Sequence, residues 1–133
     1  MTRFAATTLA PVLLLLAAAG WGGVWIWLAL AYLTLLVFAL DRLGGLAAPG
    51  DPGTAFPAGT TLSAALGLIH FPLLALAVLV VAGQTGATWP ERAAAYLAFG
   101  LFLGQVGNSN AHELIHRADR RLRRLGVAVY ASV

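Results

Sequence analysis

The sequence has no cysteine, a single methionine and little charge: Asp, Glu, Lys and Arg together make up 10% of its 133 residues. Without cysteine, disulfide frameworks, thiolate metal sites and thiol nucleophiles are all excluded, so any metal must be held by histidine or carboxylate. An ordinary soluble domain is roughly a quarter charged. A chain that is 10% charged, 60% hydrophobic and has a mean hydropathy of +0.85 does not belong to that class. A hydrocarbon core ~30 Å thick takes ~20 apolar residues per helical crossing, and the hydrophobic residues here suffice for three or four. Composition alone therefore points to an integral membrane protein or a piece of one, and the order of segments below makes it an all-α, polytopic membrane helical bundle.

The net charge is +3, and five of the eight basic residues fall between Arg117 and Arg124. Beside an apolar run such a cluster is a topology signal rather than a nucleic-acid footprint, so no nucleic-acid partner is expected.

The apolar run from Phe4 to Leu40 is too long for one crossing and must break. Gly20-Trp21-Gly22-Gly23 is the place for the break, with Trp25 and Trp27 nearby at headgroup level. This predicts a hairpin of two helices, about 4–19 and 24–40. A cleaved signal peptide is the competing reading of its first half, since Arg3, the Leu13 to Leu16 core and Ala17-Ala18-Ala19 fit the three regions of such a segment. Residues 41–60, with Pro49, Pro52 and Pro57, read as a loop. A third helix is expected over about 61–82, loosened at His70-Phe71-Pro72. Thr88-Trp89-Pro90-Glu91 has the pattern of a helix start, with Thr88 as N-cap and Glu91 three residues on, so a fourth helix runs from about 90 to 116. These four transmembrane helices form two hairpins within a single domain. Arg3, Arg42 and the five arginines from Arg117 to Arg124 lie on one side and Arg92 on the other, which sets the N-terminus and the C-terminal segment in the cytoplasm. The expected location is a cell membrane, the inner one in a bacterium, crossed several times.

The sharp motif is His112-Glu113-Leu114-Ile115-His116-Arg117. Histidines four apart stand one turn above each other on a helix and can turn both imidazoles toward one metal or two adjacent ones. Gly100, Gly104, Asn108, His112 and His116 recur in steps of four, which predicts one stripe on the interior face of the bundle, with Gly104 and the mid-span His70 as candidate cavity residues. Gln105, Asn108, Ser109 and Asn110 just before the motif are polar groups that must face protein or a wet cavity. After it, Ile115, Ala118, Leu122, Leu125 and Val129 keep a three-four spacing between arginines, which predicts a basic cytoplasmic amphipathic helix lying on or leaving the membrane surface. That helix reads as an anchor, with docking of an acidic electron-transfer partner as the second reading.

Two chemistries use these residues. In an intramembrane zinc metalloprotease the two histidines bind zinc and Glu113 is the general base. In a histidine-rich membrane di-iron site the pair supplies two of many nitrogen ligands for dioxygen activation. The stretch from Asn108 to Arg117 resembles the first histidine box of the membrane alkane hydroxylase (alkane 1-monooxygenase) family, within the fatty-acid desaturase and hydroxylase superfamily. The asparagines at Asn108 and Asn110 are shifted against that family's usual lead-in, which leaves the subfamily open.

The resemblance implies His112 and His116 as iron ligands, with Glu113, Asn108 and Asn110 in supporting roles. It also implies hydroxylation of alkanes or related lipids with dioxygen, and electrons from a rubredoxin or ferredoxin. The family carries further histidine clusters, and no histidine follows His116 here. The expectation is therefore an N-terminal portion of a longer enzyme, inactive alone; a non-catalytic membrane protein is the remaining alternative.

Overall fold

The computed structural model describes residues 2–44 and 59–133, and every regular element among them is helical. Of the loop expected over 41–60, the part with Pro49, Pro52 and Pro57 lies outside the described residues, while its ends, 41–44 and 59–60, are helical and belong to the flanking helices.

Helix α1 spans Thr2–Trp21 and α2 spans Val24–Gly44. Between them Gly22 and Gly23 adopt φ of +62° and +53°, a left-handed pair that any side chain would strain. The glycine break thus falls where the sequence places it, although α1 extends beyond both expected ends and α2 beyond its expected C-terminal end. Helix α3, Gly59–Val81, runs unbroken through Pro72, where a loosening was expected. A missing hydrogen bond is tolerated in a long apolar helix when the neighbouring turns hold. Among the described residues α3 is the one helix long and apolar enough to cross a membrane; shorter apolar stretches cover Thr8–Trp21 and Val24–Leu36.

The connection from α3 to α4 is fixed at both ends. The Gln84 N–H reaches back to the Leu79 carbonyl at 2.9 Å and Gly83 N–H to Val80 at 3.0 Å, with Gly83 at φ +81°, a Schellman ending. Arg92 donates from Nε to the Val81 carbonyl at 2.7 Å, satisfying one of the last acceptors of α3, and its guanidinium lies 5.4 Å from the Trp89 ring centre. Helix α4, Trp89–Leu101, starts as the sequence predicts: Glu91 accepts from the Thr88 backbone N–H at 2.7 Å and from its hydroxyl at 2.8 Å.

Helix α4 passes into a π-helical stretch, Phe102–Gly107, and then into α5, Asn108–Ile115, without a break. The Asn108 N–H bonds to the Leu103 carbonyl five residues back, the signature of the wider turn. A last helix, α6, covers Arg120–Tyr130 and is N-capped by Asp119, whose carboxylate accepts from the backbone N–H groups of Arg121 and Leu122 at 2.6 and 3.2 Å.

The core lies where α1, α2, α3 and α4 meet. Leu15, Ile26, Leu33, Leu73 and Val80 are buried there against Phe99 and Phe102, and Ala94, Ala95 and Ala98 let α4 approach its neighbours closely. Outside this core stands a ring of exposed large apolar side chains, among them Leu13, Leu35, Leu68 and Val78, each more than half exposed. Such a surface is unsuited to water and ordinary in hydrocarbon.

Helix α6 does not lie apart as an amphipathic surface helix. Its apolar side packs onto α5 and α3: Gly126 sits so close to α5 that a Cβ there would meet Leu114 Cβ at 2.8 Å and the Ala111 carbonyl at 2.9 Å, and Leu125 fills the space over Gly67 of α3. The same three-four pattern that suits a membrane surface suits a protein groove, and here the groove is available.

Candidate metal half-site

His112 stands on the last turn of α5 and His116 caps its C-terminal end, with ring centres 4.7 Å apart and planes at 61°. The α-helical spacing alone brings the rings together. Both are exposed, and so are Gly100, Gly104 and Asn108. The stripe is therefore real, but it faces outward and not into the bundle as expected. In a plain α-helix, steps of four drift steadily round the axis; the wider π-helical turn between Phe102 and Gly107 counters that drift and keeps all five residues on the open side. The interior side belongs to Phe99, Phe102, Gly107, Asn110, Ala111 and Leu114. Gly104, expected at a cavity, has open space where a Cβ would stand.

Glu113 turns toward Arg117, one helical turn on, in an ion pair of 2.5 Å with both side chains a quarter exposed. Asn110 is buried and donates from Nδ2 to the Ser63 carbonyl at 2.9 Å, tying α5 to α3, while its Oδ1 and the Ser63 hydroxyl have no protein partner. The expected grouping of Asn108 with Asn110 is thus divided, one side chain outward and one inward.

His70 is 1% exposed and faces the π-helical turn from α3: a Cβ on Gly107 would lie 3.0 Å from its Nδ1. Its Nε2 is 2.9 Å from the Ser132 hydroxyl, and that hydroxyl donates to the Val129 carbonyl at 2.7 Å. Because the serine proton is committed to Val129, the serine oxygen accepts from Nε2–H, which fixes the tautomer and leaves Nδ1 as a bare acceptor. His70 is thus a packing and latching residue on the opposite side of the helix from His112 and His116. Nothing in the sequence pairs it with Ser132, a partner 62 residues away.

An apolar groove of about 420 Å³ lies between α3 and α4, lined by Leu74, Val78, Tyr96, Phe99, Gly100 and Leu103. It does not open on the histidines. Leu103 precedes His112 by nine residues, ~13 Å along the helix, and the outward track of Gly100, Gly104 and Asn108 spans the interval.

Two imidazoles suit zinc or iron in type and fall short in number, since a catalytic metal takes at least three protein ligands. Among the described residues no third histidine, aspartate or glutamate joins them. By themselves the two rings do not complete a metal site. Comparison with models of protein families, with curated proteins and with solved structures gave no match.

Proposed function

We propose that this chain is the first-histidine-box portion of an integral-membrane, non-haem di-iron monooxygenase that hydroxylates alkanes or related lipids. The observation that carries the reading is the imidazole pair of His112 and His116, 4.7 Å apart on an open helix face at the end of a long apolar helix. In this reading α1, α2, α3 and the continuous helix 89–115 cross the membrane as two hairpins, with the histidines at the cytoplasmic end. A dioxygen-activating iron centre supplies the oxidising power when bound. The chain's own residues do the rest: His112 and His116 donate two nitrogen ligands, and Arg117 holds Glu113 beside them. The apolar groove and the track past Gly104 offer an alkyl chain a water-free path along α4 toward Asn108. The remaining ligands come from outside these 133 residues, and electrons from a rubredoxin or ferredoxin docking on the cytoplasmic side.

The Glu113–Arg117 ion pair favours this reading over the zinc protease, in which Glu113 must stand free beside the histidines as the general base. The test is made on the full reading frame expressed in its membrane. His112→Ala and His116→Ala are each expected to lower the iron bound per chain and to abolish transfer of labelled oxygen from dioxygen to an alkane. Full iron loading with retained oxygenation in either variant sinks the assignment. Proteolysis that depends on zinc and on Glu113 hands the motif to the protease reading.

A further inference from the structure

Four arginines, Arg120, Arg121, Arg123 and Arg124, occupy the first five residues of α6, and all four are exposed. Among the described residues none of them has a side-chain hydrogen-bond or ion-pair partner, and the only acid nearby, Asp119, is engaged in capping the helix. The placement is electrostatically adverse, because cations at the first turn of a helix oppose its dipole. An anion among them removes that conflict.

The depth of these arginines is set by the rest of the helix. Gly126 is seated against Ala111 and Leu114, Val129 is buried, and Ser132 is bonded to His70, which lies near the middle of α3. From the level of His70, α6 climbs up to ~18 Å to Arg120. With α3 spanning a bilayer and α6 running alongside it, Arg124 to Arg120 lie ~12 to ~18 Å from that level, across a hydrocarbon half-thickness of ~15 Å. At 3.6 residues per turn their side chains spread over roughly 160° of the helix. A flat protein partner meets one narrow face, whereas headgroups packed round a half-sunken helix meet the whole arc.

We propose that α6 is a re-entrant helix whose arginine collar binds the phosphodiester headgroups of anionic phospholipid. Guanidinium groups match phosphate oxygens in paired hydrogen bonds, and the buried C-terminal half of α6 holds the collar at headgroup level. This goes beyond the oxygenase reading. It rests on the membrane placement and is independent of any metal.

The test uses the full chain in nanodiscs of equimolar phosphatidylglycerol and phosphatidylcholine, released for native mass spectrometry of the retained lipids. Phosphatidylglycerol is expected to be retained over phosphatidylcholine by about tenfold or more. The quadruple variant R120Q/R121Q/R123Q/R124Q is expected to lose the preference while keeping its helical circular dichroism, and the corresponding Arg→Lys quadruple variant is expected to keep most of it. Equal retention of the two lipids, or a preference that survives in the glutamine variant, overturns the proposal. Displacement of phosphatidylglycerol by inorganic phosphate overturns it in favour of a free-anion site. No lipid preference, with polyglutamate bound by the natural chain and not by the glutamine variant, assigns the collar to an acidic protein instead. A chain that fails to enter the discs overturns the membrane placement as well, an outcome distinct from insertion without lipid preference.

Discussion

The two halves of the molecule are held together by different means. Where α1, α2 and α4 meet, the contacts are made by leucine, valine, isoleucine and phenylalanine against alanine, and among the described residues no buried polar side chain takes part. Where α3, α5 and α6 meet, the helices approach through Gly67, Gly107 and Gly126, and the buried polar residues Ser63, His70 and Asn110 all lie in that region. The apolar half tolerates small shifts, because one aliphatic contact replaces another. The glycine half is set by close packing on Gly67, Gly107 and Gly126, against backbone at Gly126, and by individual hydrogen bonds, so an added methyl group forces its neighbours to shift.

This contrast can be broken most forcefully at Gly126. A leucine there meets the Ala111 carbonyl and the Leu114 and Ile115 side chains at once, so Gly126→Leu is expected to undock α6 at a cost of about 3 kcal/mol. Hydrogen exchange over residues 120–133 checks it: exchange should rise there while the amides of α1 and α2 keep their protection. A smaller effect is expected from Gly107→Ala, whose Cβ presses on a His70 ring that Ser132 prevents from yielding. Its cost is about 1 kcal/mol net of the helix-propensity gain, read by denaturant titration in detergent. The same substitution made in a His70→Ala background should be neutral or better. Three residues earlier the sign reverses: Gly104→Ala has open space around it and is expected to stabilise by about 0.5 kcal/mol through helix propensity alone. Equal effects of the alanine at 104 and at 107 would erase the distinction between the open and the closed side of this helix.

Much of the apolar half is legible in the residues themselves. Gly22-Gly23 and Thr88-Trp89-Pro90-Glu91 mark their helix ends because their chemistry is local: a left-handed turn and a capping carboxylate need no distant partner. The histidine pair is equally local, since four residues of α-helix bring the rings together wherever the helix sits. What a periodic pattern does not carry is the side of the bundle it faces. Gly100, Gly104 and His112 share one side only because the π-helical turn offsets the drift of their four-residue spacing, and that side is the outer one. The π-helical turn has no residue signature either; Phe102-Leu103-Gly104-Gln105-Val106-Gly107 reads as ordinary helix, and the turn shows only in the Asn108 to Leu103 hydrogen bond. Gly107 and Gly126 were invisible for the same reason, because their value lies in neighbours brought by other helices.

The clip between Arg92 and the Val81 carbonyl has a consequence for the order of assembly. It closes the short connection between α3 and α4 with partners only 11 residues apart, so little chain entropy is lost in forming that hairpin. The bond from Ser132 to His70 spans 62 residues and requires α3 and the π-helical turn to be in place already. Local closure first and distant latching last is the sequence that contact separation favours. The α3–α4 hairpin is then the early scaffold, and α6 the last segment to commit.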